Sequence, residues 1–61
     1  MIQGVSGVDV QRALAERGYY YGPIDGEIGP MSRNAIAAFQ SDAGLTPTGE
    51  INNSLLRALD L

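Results

Sequence analysis

The chain has 61 residues, enough for one small domain; such a domain buries only about 60% of its unfolded surface and draws about 3–5 kcal/mol of net stability from its core. It contains no Cys and no His, which excludes a disulfide framework, a thiolate metal site and the commonest general base. Seven acids against four Arg, with no Lys, give a formal charge of −3 and no basic patch for nucleic acid, and no apolar run approaches the ~18 residues of a membrane span.

The N-terminal "MIQGVSG" shows neither a basic n-region nor an apolar h-region. No signal peptide is expected within these residues, and the size suits a piece cut from a longer protein. The first helix starts at "SGVDVQRALAERG" and is expected over residues 7–17. Ser6 is a good N-cap, and Asp9, three residues on, resembles a capping box with a shorter acid. Val10, Ala13 and Leu14 fall on one face of a 3.6-residue period. Gly18 occupies the place of a left-handed C′ residue, just after Arg17, whose charge suits the negative end of the helix dipole.

A long connector follows, and its end, "GPIDGEIGP", leads into a second helix expected over residues 30–43. Pro30 fits the first helical position, where its missing N–H has no partner in any case. Ser32, Ala35, Ile36, Phe39 and Ala43 make one stripe, and Gly44 closes the helix. A third helix, over residues 53–60, begins after Asn52 as N-cap and carries Leu55, Leu56 and Leu59. The two connectors repeat: "DGEIGPMSRNAI" and "TGEINNSLLRAL" share Gly-Glu-Ile shortly before a helix. Gly26 and Gly49 are expected at positive φ, and the two Gly-x-Ile pieces are expected to be extended, with a pairing of one with the other as a minimal β-bridge left open.

The connector of residues 19–29 is long for so small a domain, and long ordered loops tend to carry function. Asp25 and Glu27 begin like a calcium loop, but the later oxygen ligands and the closing bidentate acid are missing. Glycines at 22, 26 and 29 without any Lys do not make a phosphate loop. A catalytic carboxylate pair needs one acid raised in pKa by burial, and a turn in a domain this small has no place to bury it. The remaining reading gives Asp25 to the backbone N–H groups of its own turn. No metal, cofactor or catalytic residue is expected.

The ordered set Val10-Gln11, Leu14, Gly18-Tyr19, Asp25-Gly26, Gly29, Ser32, Ala35-Ile36, Phe39-Gln40, Gly44-Leu45, Gly49 and Ile51 resembles the small three-helix peptidoglycan-binding domain of bacterial cell-wall hydrolases. The likeness runs over residues 8–60. It departs from the family's usual pattern at Ser32 (commonly Thr), Arg17 (commonly aliphatic) and Ile28 (frequently aromatic). The resemblance implies an all-α, compact three-helix bundle with long ordered loops, one domain over residues 1–61 with its core in 6–60. It also implies a bacterial envelope location, in periplasm or cell wall, and a non-catalytic role. The partner would be peptidoglycan, through its glycan strand or stem peptide, with a catalytic or envelope domain covalently linked in the full-length protein. A docking module of the same fold, acting on a protein or on another part of its own chain, is the alternative, because fold alone does not fix function.

Val10, Leu14, Ile24, Ile28, Ala35, Ile36, Phe39, Leu45, Ile51, Leu55 and Leu59 are then the expected core. Gln11 and Gln40 are expected to bind loop backbone, since a buried amide must be satisfied. For recognition there remain Tyr20 and Tyr21, expected to be partly exposed while Tyr19 packs inward. These rings either stack on a sugar or simply cover the loop. Arg33 and Asn34, in the first turn of the second helix, either meet a carboxylate of a stem peptide or are solvated. Asp25 and Ser32 hold the local backbone and complete the expected ligand face.

Overall fold

The computed structural model describes residues 5–61, which form three helices: α1 Gly7–Glu16, α2 Pro30–Asp42 and α3 Asn53–Ala58. Each start follows its local sequence. At α1 the Asp9 carboxylate accepts from the Ser6 backbone N–H at 3.0 Å and from its hydroxyl at 3.3 Å. Helix α2 has Gly29 as its cap, with no side-chain capping bond, and Pro30 in the first turn. At α3 the Asn52 Oδ1 accepts from the Leu55 N–H at 2.8 Å.

All three helices end the same way. The N–H two residues past the cap returns to the third-last helical carbonyl: Tyr19 to Leu14 at 2.9 Å, Leu45 to Gln40 at 2.8 Å, and Leu61 to Leu56 at 2.9 Å. This closure needs a left-handed residue between them. Gly18 (φ 84°) and Gly44 (φ 79°) supply it in the first two helices, and Asp60 (φ 62°) in the third. The Arg17 guanidinium adds donors to the carbonyls of Ala13 (3.3 Å) and Leu59 (3.4 Å), joining the ends of α1 and α3.

The core joins Val10, Ala13 and Leu14 of α1 to Ala35, Ile36 and Phe39 of α2 and to Leu55 and Leu59 at α3, with Tyr20 inserted from the long loop. Ile24 and Ile51, expected inside, are 43% and 39% exposed, and Ile28 and Leu45 are only half-buried. Ala43 is also exposed, because α2 ends at Asp42. The space under the two Gly-Glu-Ile turns is occupied by amides instead, since Gln11 and Gln40 are almost wholly buried.

These two glutamines also explain why the β-bridge left open between the connectors is not formed among the described residues. The Gln11 Oε1 accepts from the Gly26 N–H (2.8 Å), and its Nε2 donates to the Glu27 carbonyl (2.9 Å). The Gln40 Oε1 accepts from the Gly49 N–H (2.9 Å), and its Nε2 donates to the Glu50 carbonyl (3.4 Å). Each side-chain amide takes the place of a neighbouring strand, so neither turn needs the other. Asp25 Oδ1 and Thr48 Oγ1 complete the match by accepting from Glu27 N–H (2.9 Å) and Glu50 N–H (3.2 Å). The repeat in sequence is thus a repeat of hydrogen bonding, with Gly26 and Gly49 both at positive φ as expected.

Candidate functional site

The Gln11 clamp organises more than its turn. Its Nε2 lies 2.9 Å from Ser32 Oγ and from the Glu27 carbonyl, and 3.3 Å from both Tyr20 Oη and Asp25 Oδ1. An amide nitrogen has two protons, so the two shorter contacts are the stronger bonds and the two longer ones share the same protons more weakly. The remaining groups find their own partners. Tyr20 Oη donates to the Pro23 carbonyl at 2.6 Å, and Ser32 Oγ donates to the Glu27 carbonyl at 3.3 Å. Three of the expected site residues, Tyr20, Asp25 and Ser32, are thereby joined around one buried side chain.

Over this network the long loop and the first turn of α2 enclose a shallow open groove of about 190 Å³. Tyr20, Pro23, Asp25 and Glu27 line it from the loop, and Gly29, Pro30, Met31 and Ser32 from the start of the helix. Met31 is well exposed, and its sulfur lies so near Gly22 that a side chain there would collide with it. The loop and the helix start therefore approach each other closely above the network as well as below it.

Tyr20 corrects the expectation about the three tyrosines. It is 4% exposed, not partly open, and only Tyr21, at 87%, projects into solvent. Tyr19 packs edge-on to Phe39, with ring centroids 5.5 Å apart, and its hydroxyl donates to Asp42 at 2.6 Å. That bond to a carboxylate raises the Tyr19 pKa above its ordinary value. Tyr20 turns inward as well because Gln11 and the Pro23 carbonyl provide polar partners for its hydroxyl. Ser32 is buried too, as a support of the groove.

Asp25 is held below its usual carboxylate range, first by the Glu27 N–H and then by the Gln11 amide. The exposed Glu27 carboxylate has no hydrogen-bond or ion-pair partner among the described residues. Arg33 and Asn34 are exposed on α2, but neither they nor Tyr21 line the groove. Glu27, Pro30 and Met31 were not foreseen as lining residues. The repeated Gly-Glu-Ile marked the turn, but only its docking against α2 makes a groove of it. Among the described residues no cluster of three or more metal-ligating acids occurs, and no helix is long and apolar enough to cross a membrane.

Comparison with known proteins agrees with the family resemblance. A localization factor, PodJL, of Caulobacter vibrioides is 49% identical over 51 residues, which cover 84% of this chain and 5% of that protein. The "Putative OxPP cycle protein OpcA" of Synechococcus elongatus is 43% identical over 51 residues, 84% of this chain and 12% of the relative. Its counterpart in Synechocystis is 46% identical over 50 residues, 82% of this chain and 10% of the relative. The chain thus spans a small part of each of these relatives. No solved structure matches it. The family model described as "Putative peptidoglycan binding domain" matches residues 4–59, and the chain belongs to that family of binding modules.

Proposed function

We propose that the chain is a non-catalytic module that binds peptidoglycan and tethers a covalently linked catalytic or envelope domain to the bacterial wall, in the periplasm or the wall itself. The observation that carries this reading, on a chain of this family, is the rigid open groove between the 20–29 loop and the start of α2. Its supporting polar groups are satisfied, so it can hold its shape without a ligand. A shallow groove suits a polymer with many equivalent sites, where repeated weak contacts add up to firm attachment. The ligand face is proposed to combine the groove, with Tyr20, Asp25 and Ser32 as its frame, and the exposed Tyr21, Arg33 and Asn34 beside it.

The test is sedimentation with insoluble sacculi. Tyr21→Ala and Arg33→Ala, each checked for folding, should weaken binding by ~1–2 kcal/mol where the side chain is an anchor, or roughly tenfold. Parent-like binding by both would move the ligand face off this end of the bundle. Release of soluble muropeptides by the purified chain would overturn the non-catalytic reading.

Docking on a protein partner is the second reading. It is favoured by the relatives described as a localization factor and as an OxPP cycle protein, names that mention no wall. The fully presented Tyr21 suits such an interface equally well. Failure to sediment with sacculi, with retention of one protein partner that Tyr21→Ala releases, would establish it.

A further inference from the structure

The chemistry of the groove restricts what it can hold. Its side walls are apolar, built by Pro23, Pro30, Met31 and the edge of the Tyr20 ring. Both prolines lack an N–H, and the hydroxyls of Tyr20 and Ser32 already donate to carbonyls. The side chains of the groove therefore have no proton left to donate. What they offer is negative charge: Asp25 and Glu27 both line the groove, and no Arg does. The start of α2 opposes this, but a helix end amounts to about half a positive charge, against two full carboxylates. Two full charges exceed half of one, so the net charge of the residues lining the groove is negative.

Resting on the wall-binding reading, we propose that this groove receives the protonated amine of the diamino acid in an uncrosslinked stem peptide. The alkyl stem lies along Met31 and the prolines, and the ammonium meets the Asp25 and Glu27 carboxylates. An acidic group would meet those carboxylates as a like charge, and a sugar hydroxyl could donate to them but would leave their charge unbalanced. Charge complementarity thus selects a cationic group on an apolar stem. Asp25 stays ionised well below neutral pH, because the turn N–H and the Gln11 amide stabilise its charged form. Arg33, outside the groove, is left for the carboxylate of the same residue.

The experiment uses sacculi with free stem-peptide amines and the same sacculi after N-acetylation, each with the parent chain and with Glu27→Gln. Glu27 serves because its side chain has no structural partner to lose among the described residues. The parent should bind native sacculi about fivefold more tightly than acetylated ones, the size expected of one partly screened charge contact. On native sacculi Glu27→Gln should bind about threefold more weakly than the parent, on acetylated sacculi the two chains should bind alike, and the deficit on native sacculi should shrink as salt rises. Equal binding of the parent to both preparations overturns the amine assignment and leaves wall binding standing. Parent-like binding of Glu27→Gln to native sacculi overturns it too. Binding of the parent to neither preparation removes the wall reading and this assignment together.

Discussion

Gln11 is the residue on which the long loop depends. Its amide meets one N–H and one carbonyl of the turn, and also the hydroxyl of Ser32. Gln11→Ala leaves the Gly26 N–H unpaired and the Glu27 carbonyl with only the longer bond from Ser32, at ~1–3 kcal/mol for a group that water cannot reach, so a loss of about 2–4 kcal/mol is expected in urea denaturation. Gln40→Ala should cost less, about 1–2 kcal/mol, because its donor contacts are longer, at 3.2 and 3.4 Å. The reverse order would show that the first clamp is not the stronger one. Asp25 gives a pH signature. Its folded pKa lies below the ordinary 3.8, so its charge stabilises the fold fully above that value, and the contribution is lost as pH falls through the folded pKa. The melting difference between the parent and Asp25→Asn should therefore be constant near neutrality and shrink below about pH 4. A difference that is the same at about pH 3 and at neutrality would mean that the charge plays no part. The structural roles of Gln11, Gln40 and Asp25 are legible in the sequence, since a polar side chain inside an apolar pattern must find partners. The burial of Tyr20 is not: three adjacent tyrosines are chemically identical, and only the path of the chain past Gly22 selects which one turns inward.

At the scale of elements, the caps decide where each helix begins and ends. Ser6 with Asp9, Pro30, Asn52 and the glycines at 18 and 44 all act as their sequence positions indicate. The end of α3 was not legible, because Asp60 occupies the left-handed position that glycine marks in the other two helices. A residue with a Cβ is strained there, and its negative charge opposes the negative end of the helix dipole. Asp60→Gly should therefore stabilise the chain by about 0.5–1 kcal/mol, raising the melting temperature by a few degrees. A lower melting temperature would show that the Asp60 side chain makes a contact worth more than this strain.

For the whole molecule, the core is thin enough for one residue to decide its stability. Phe39 belongs to the buried cluster and meets Tyr19 edge-on. Phe39→Ala should cost ~3–5 kcal/mol through the cavity it leaves, close to the total a domain of this size possesses. Circular dichroism at 25 °C should then show most of the helix signal lost, and a folded Phe39→Ala variant would place the centre of the core elsewhere. The same economy bears on the groove. So few buried contacts cannot hold a deep pocket open, whereas a loop clamped by one buried amide can present a rigid shallow face.

The sequence by itself determined the three helices, their caps apart from the end of α3, most of the apolar stripe and the repeated turn, because each rests on residues near one another in the chain, and it determined the family through the ordered motifs along residues 8–60. Hydrogen bonds of caps and turns close within a few residues, and periodicity is local. Only the tertiary structure decided that the repeated turns bind to glutamines and not to each other, that Ile24 and Ile51 lie at the rim, and that Tyr20 belongs to the groove's frame. It also decided that Glu27 and Met31 face the same groove, although they come from opposite sides of the cap of α2. These outcomes depend on which groups compete for the same small interior. The contacts that settle that competition, such as Gln11 with Ser32 or Tyr19 with Asp42, join residues some twenty positions apart.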